Sequence, residues 1–148
     1  MSQENVDRLR VAYEGLDRPE TVRAVVEAGD SELFAPDFEL HQTSDVIGTK
    51  GVFRGGPDAF RKSLREVQEA FEDLTFRAEK FLEAPDGEIV VFVHVRTRGR
   101  GSGVETDARI AHVWTFRDDK ATRMVVVIDR AAALEAVGLP EQDAHAGS

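Results

Sequence analysis

Few side chains in this sequence can do chemistry, and what is missing narrows the field first. There is no cysteine, which removes disulfides, thiol nucleophiles and sulfur-ligated zinc. The four histidines, His41, His94, His112 and His145, are scattered, with no pair at helical ligand spacing. No metal site is therefore expected. His112 has the greatest reach. It lies in the run from Val104 to Phe116, which reads with period two. One face carries Thr106, Ala108, Ile110, His112, Trp114 and Phe116; the other carries Glu105, Asp107, Arg109, Ala111, Val113 and Thr115. An imidazole on an apolar face is desolvated, and desolvation disfavours its charged form. A neutral imidazole in a pocket can donate to a developing oxyanion or shuttle a proton. The same pattern also fits a core histidine bonded to a helix carbonyl.

The other polar candidates are weaker. His41 and Gln42 are adjacent, so alternation sends only one of them inward unless a bulge intervenes. Asp107, Arg109 and Glu105 point away from the His112 face and read as a solvated or dimer-interface ion network. His94, Arg96 and Arg98 share a face and lead to Arg100 in a Gly99-x-Gly101-x-Gly103 tip. No helix follows, so a phosphate cradle fails on context, and the stretch reads as a mobile hairpin. Tyr13, Phe34, Phe38, Phe53, Phe60 and Trp114 supply core and pocket wall. An aromatic wall beside a hydrogen-bonding group suits a small, planar, apolar ligand.

The elements that must position these groups follow from periodicity and punctuation. Val6, Leu9, Tyr13 and Leu16 define an amphipathic helix from Glu4 to Leu16. Asp17-Arg18-Pro19-Glu20 starts a second helix, buried through Val22, Val25 and Val26 and ended by Gly29. Leu33 to Asp37 is a turn feeding a short strand, Phe38 to Gln42, in which Phe38, Leu40 and Gln42 share a face. After a polar loop from Thr43 to Gly51, Gly56-Pro57-Asp58 launches the longest helix, with Phe60, Leu64, Val67, Phe71 and Leu74 as its stripe. Then the period changes. Strands run from Thr75 to Leu82, Ile89 to Arg98, through the His112 stretch, and from Thr122 to Ile128. Pro85-Asp86-Gly87 and Asp118-Asp119-Lys120 make two of the turns between them. Asp129 caps a closing helix, Arg130 to Val137, which Gly138 and Pro140 stop. Helices followed by a strand meander imply an α+β domain over residues 1–140. Its sheet is expected to be curved and antiparallel, with helices on the concave face and a disordered tail over 141–148.

Composition fits this. The net charge is −9, from 19 basic and 28 acidic residues, which repels phosphate backbones and anionic membranes. No apolar run approaches the roughly 20 residues needed to span a bilayer. The polar start, Met1 to Asn5, is unlike a signal peptide. A cytoplasmic protein is expected, with no nucleic-acid or membrane partner.

Four stretches in this order resemble the SnoaL-like branch of the nuclear transport factor 2-like superfamily, home of ketosteroid isomerases and polyketide cyclases. They are Ala12-Tyr13-Glu14-Gly15-Leu16, Leu33 to His41, Val52-Phe53-Arg54-Gly55, and Ala111 to Phe116 onward to Asp129 to Leu134. The resemblance implies a cone-shaped fold with a concave apolar pocket and a homodimer through the sheet. It puts His112 where the steroid isomerases keep a protonated aspartic acid, and Gln42 at or near the isomerase base. An amide cannot take a proton, so that mechanism is not preserved. The isomerase oxyanion tyrosine aligns with Ala12, leaving Tyr13 directed elsewhere on its helix. The cyclases carry polar and acidic side chains on the last strand, where this chain has Met124, Val126 and Ile128. A further branch uses an Asp–Arg–Asp group on epoxides, but Asp107 and Arg109 lie off the His112 face. Two functions follow. One is binding of a small polyketide-, steroid- or terpenoid-like molecule, with cofactor-free proton transfer of the isomerase, cyclase or dehydratase kind. There His112 is catalytic and Gln42 or His41 orients the ligand. The other is a non-catalytic dimeric module that binds a ligand or a protein.

Overall fold

The computed structural model describes residues 2–22, 32–42 and 51–140. Helix α1 (Ser2–Tyr13) is followed by a helical turn over 19–22. Strands β1 (Phe34–Gln42) and β2 (Gly51–Arg54) precede helix α2 (Pro57–Ala70). The meander β3 (Phe71–Glu83), β4 (Ile89–Gly99), β5 (Glu105–Arg117) and β6 (Lys120–Val127) leads to helix α3 (Arg130–Ala136). One unclosed, curved six-stranded sheet results, in the order β2-β1-β6-β5-β4-β3. The expected α+β architecture is therefore present. The expected end of the second helix, with Val25, Val26 and Gly29, the loop from Thr43 and the C-terminal tail lie outside the described residues.

Three local departures have physical reasons. The sheet is not wholly antiparallel: β1 runs parallel to β6, with Leu40 opposite Met124 and Gln42 opposite Val126. The stretch expected to be a turn from Leu33 to Asp37 is the start of β1. Phe34 pairs with Ala121, and the register then slips before Glu39, because Pro36 has no N–H to give a ladder. Helix α2 stops at Ala70, short of Leu74. Phe71 is already extended (φ −129°, ψ 135°) while its N–H still reaches the Val67 carbonyl, so Phe71 and Leu74 pack from β3.

The concave face carries the main core, with Leu9, Phe38, Leu40, Val91, Val93 and Trp114 buried among others. A second cluster lies on the opposite face. There α3 sets Ala133 and Leu134, with Val137 just past its end, against Val90, Phe92, Ala111 and Val113, which face one another across β4 and β5. The closing helix thus packs outside the sheet, not in its hollow. The outward face of β5 is charged at one end but apolar at Ala111 and Val113, and only this apolar part needs covering.

Arginines fix two joints. The buried Arg130 donates to the carbonyls of Ile110 (3.2 Å) and Val93 (3.3 Å) and to the Glu79 carboxylate (2.8 Å). Its guanidinium also lies 4.6 Å from the Phe92 ring centroid. Glu79 is the residue that the β3–β4 register skips between Ala78 and Lys80. At the glycine-rich tip, the Arg100 side chain donates to the Gln68 carbonyl (2.8 Å) and its N–H to that of Ala70 (3.1 Å). The tip read as a mobile hairpin is therefore anchored, placing a cation on the C-terminal end of α2 where the helix dipole favours one.

Replacing Arg130 with alanine leaves a carboxylate and two carbonyls short of a donor. Urea denaturation is expected to show a loss of about 3 kcal/mol. A loss below about 1 kcal/mol would mean that α3 is held by its apolar residues alone.

Candidate active site

The site begins with three side chains on two elements. Tyr13 is the last residue of α1, one turn after Leu9, and both turn into the core. His112 and Trp114 are two residues apart on β5, so they share its inner face. His112 stands opposite Val126 on β6 and Val91 on β4. Trp114 stands opposite Met124 and Ile89, and its ring is stacked on Phe38 at 6.2 Å.

Their polar atoms form a directed chain. The Trp114 indole N–H donates to the Tyr13 hydroxyl oxygen at 3.0 Å. The same hydroxyl lies 2.6 Å from Nδ1 of His112. An indole nitrogen can only donate, so the tyrosine oxygen accepts from it; the hydroxyl's own buried hydrogen has Nδ1 as its one acceptor among the described residues and is directed there. Nδ1 is thereby the acceptor, and in a neutral ring the proton sits on Nε2. Burial holds the ring neutral by pushing the His112 pKa down to about 3. Burial also pushes the Tyr13 hydroxyl far above its ordinary value, against a smaller opposing effect of the Trp114 hydrogen bond. The proton between the two stays on the tyrosine.

These residues line a cavity of about 130 Å³ under α2. Its walls are mainly apolar, among them Phe34, Phe60, Leu64, Val67, Ile110 and Met124. Polar groups enter at few points. Gln42 and Ser63 reach the lining, Ser63 with its hydroxyl donating to the Phe60 carbonyl at 3.0 Å. Arg61 also contributes, with a guanidinium paired to Asp58. Among the described residues the lining has no carboxylate. No group of three or more potential metal ligands forms among them either. The arrangement can donate hydrogen bonds to an oxygen held against an apolar wall.

Of the residues singled out from the sequence, Tyr13, Phe34, Gln42, Phe60, His112, Trp114, Met124 and Val126 meet at this cavity. Phe38 is fully buried behind Trp114, and Phe53 packs on the rim of the core. His41 turns to the other side of β1, with Nε2 2.9 Å from Glu39, which Arg54 also holds at 3.1 Å. Ile128 lies just past the end of β6, 41% exposed. Asp107 and Arg109 sit on the outer face, 3.4 Å from His94 and Glu79 respectively.

A sequence profile of the SnoaL-like domain matches residues 18–124. The chain belongs to the SnoaL-like domain family. Among solved structures, this SnoaL-like chain is similar to an NTF2-like protein of unknown function from Burkholderia pseudomallei. The two are 21% identical with a TM-score of 0.67, over 90% of this chain and 96% of that one. It is similar to TerC, co-crystallised with polyporic acid, at 24% identity and a TM-score of 0.66, over 90% and 98%. It also resembles SalBIII, described as an epoxide hydrolase/cyclase-like enzyme in pyran ring formation in the polyether salinomycin. That likeness is 18% identity with a TM-score of 0.63, over 88% and 95%. At these identities the likeness is one of fold. No curated protein matches the chain.

The hydrogen bonds of Tyr13 to His112 and Trp114 are what the family resemblance did not imply, since it put the isomerase tyrosine at Ala12 and pointed Tyr13 elsewhere. The signal was present. Leu9 and Tyr13 lie on one helical face, and a buried hydroxyl and a buried indole N–H both need partners.

Because His112 is neutral when folded and titrates near 6.5 when unfolded, the unfolded chain binds the extra proton in between. Its contribution to stability is complete above pH 6.5 and declines as pH falls toward 3. The stability difference between wild type and His112→Phe should therefore shrink by about 1.4 kcal/mol per pH unit over that window. Urea titrations at several pH values measure it; a pH-independent difference would show that the folded imidazole is already charged.

Proposed function

We propose that this SnoaL-like protein binds a small, largely apolar molecule of the polyketide, steroid or terpenoid kind. A carbonyl or enolate oxygen of the ligand is held by His112. The observation that carries this is the Trp114–Tyr13–His112 chain, which leaves a protonated Nε2 on a residue lining an apolar cavity. A volume of about 130 Å³ is close to that of engineered apolar cavities that admit a benzene ring, at about 150 Å³. The part of the ligand against His112 is accordingly ring-sized. An N–H fixed in a site shielded from water stabilises negative charge on oxygen far better than one free to reorient in solvent. Any reaction is of the cofactor-free isomerase, cyclase or dehydratase class, with His112 stabilising the oxyanion and Gln42 orienting the ring. SalBIII, with its stated part in pyran ring formation, and TerC, co-crystallised with polyporic acid, support this reading.

The absence of a carboxylate from the described lining favours a second reading. In that reading the protein is a non-catalytic module that binds a ligand or a protein partner. A homodimer through the outer sheet face fits either reading.

A thermal-shift screen of steroids, terpenoids, aromatic polyketides and small enones separates these readings. A carbonyl compound is expected to raise the melting temperature of wild type, with the rise lost in His112→Ala. Incubation with the hit then shows conversion or none, dividing enzyme from binder. Equal shifts in wild type and variant, or no shift from any class, would overturn the assignment of His112 as the ligand's polar contact.

A further inference from the structure

We infer that Tyr13 is the specificity-determining positioning residue of this cavity, acting through His112 by fixing which of its nitrogens carries the proton. This rests on the reading of the cavity as a binding site. A neutral imidazole offers one donor and one acceptor, and which edge is which is set by the partner of the other nitrogen. Here that partner is the Tyr13 hydroxyl, 2.6 Å from Nδ1. The hydroxyl could in principle either donate or accept. Burial settles the choice: with the Trp114 N–H on one lone pair at 3.0 Å, accepting a second N–H from Nδ1 would leave the buried hydroxyl hydrogen without a partner, so that hydrogen is donated to Nδ1. The whole chain is fixed in one sense, from indole to phenol to imidazole. The atom that a ligand sets against Nε2 must then be an acceptor, such as a ketone, quinone or enolate oxygen. Hydroxyl hydrogens and ammonium groups find no lone pair there. Depressed basicity from burial acts in the same direction, since it keeps Nδ1 free to accept.

Removing the Tyr13 hydroxyl should release this constraint. In Tyr13→Phe neither ring nitrogen is held, the proton can occupy Nδ1, and Nε2 can present a lone pair to the cavity. The variant deletes one oxygen from a residue packed among Phe81, His112 and Trp114, so the fold should survive.

Two measurements test the idea separately. The first is nitrogen-15 NMR of histidine-labelled protein at pH 7 without ligand, where protonated and bare ring nitrogens resonate apart. His112 is expected to be protonated on Nε2 in wild type and to show a substantial Nδ1–H population in Tyr13→Phe. A wild-type ring protonated on Nδ1, or a tautomer unchanged in the variant, would overturn the inference. The second uses 2-cyclohexen-1-one and 2-cyclohexen-1-ol as a matched pair, with dissociation constants from ligand-observed NMR. Wild type should prefer the ketone by about tenfold, and Tyr13→Phe should bring the ratio to near one or reverse it. A ratio that does not move when the tautomer does would overturn the specificity role. If neither probe binds while the tautomers behave as stated, the binding reading fails and the tautomer assignment stands.

Discussion

The Tyr13 hydroxyl has a single hydrogen and almost no water within reach, and much of the site follows from where that hydrogen goes. Leaving it unpaired would cost on the order of 1–3 kcal/mol, a large share of the stability of a domain this size. Giving it to His112 while taking one from Trp114 satisfies three buried polar groups with two hydrogen bonds. The arrangement requires that α1 end over β5, that His112 and Trp114 share a face of that strand, and that aromatic rings exclude solvent around them. The hydrophobic core and the candidate site are thus one construction. The groups that would recognise a ligand are oriented by the same contacts that hold α1 on the sheet.

The sheet has to be finished on both sides, and the two sides are finished differently. The hollow is filled by large apolar side chains around the cavity. The outer face is apolar only where β4 and β5 bring Val90, Phe92, Ala111 and Val113 together, and the short α3 suffices there. Beyond it lie polar contacts such as the Arg109–Glu79 ion pair and Asp107, 3.4 Å from the His94 ring. Arg130 lies at the boundary of these two regions. It pairs with Glu79 at the β3 irregularity and also takes up carbonyls of β4 and β5, so one side chain serves the polar zone and the helix joint together.

The strand alternation around His112 was readable in the sequence because period-two burial is a strong, local signal, and the faces assigned to Ile110, His112 and Trp114 are those observed. Alternation allowed only one of Gln42 and His41 inward, the family resemblance favoured Gln42, and Gln42 is the one at the cavity. What escaped depends on contacts between residues far apart in the chain. The partnership of Tyr13 with His112 spans 99 positions, and no local pattern encodes it. The anchoring of the glycine-rich tip by Arg100 was hidden for the same reason, since its partners are carbonyls of α2. The side of the sheet chosen by α3 also escaped. A strand whose outward face is half charged and half apolar leaves that choice to the neighbouring strand. The extension of β1 back to Phe34 was masked by Pro36, which reads as a turn but is accommodated by a slip in register.

The parallel pairing of β1 with β6 has a consequence for how the protein comes together. The strands β3 to β6 join through short turns, so their ladders close locally and quickly. Strand β1 can find its place only after β6 exists, and closing that pair encloses everything between Gln42 and Lys120. The entropy of so large a loop has to be met by contacts formed late. Phe34, Leu40 and Gln42, which wall the cavity, arrive with that strand. The wall of the cavity is therefore completed only when β1 pairs with the meander.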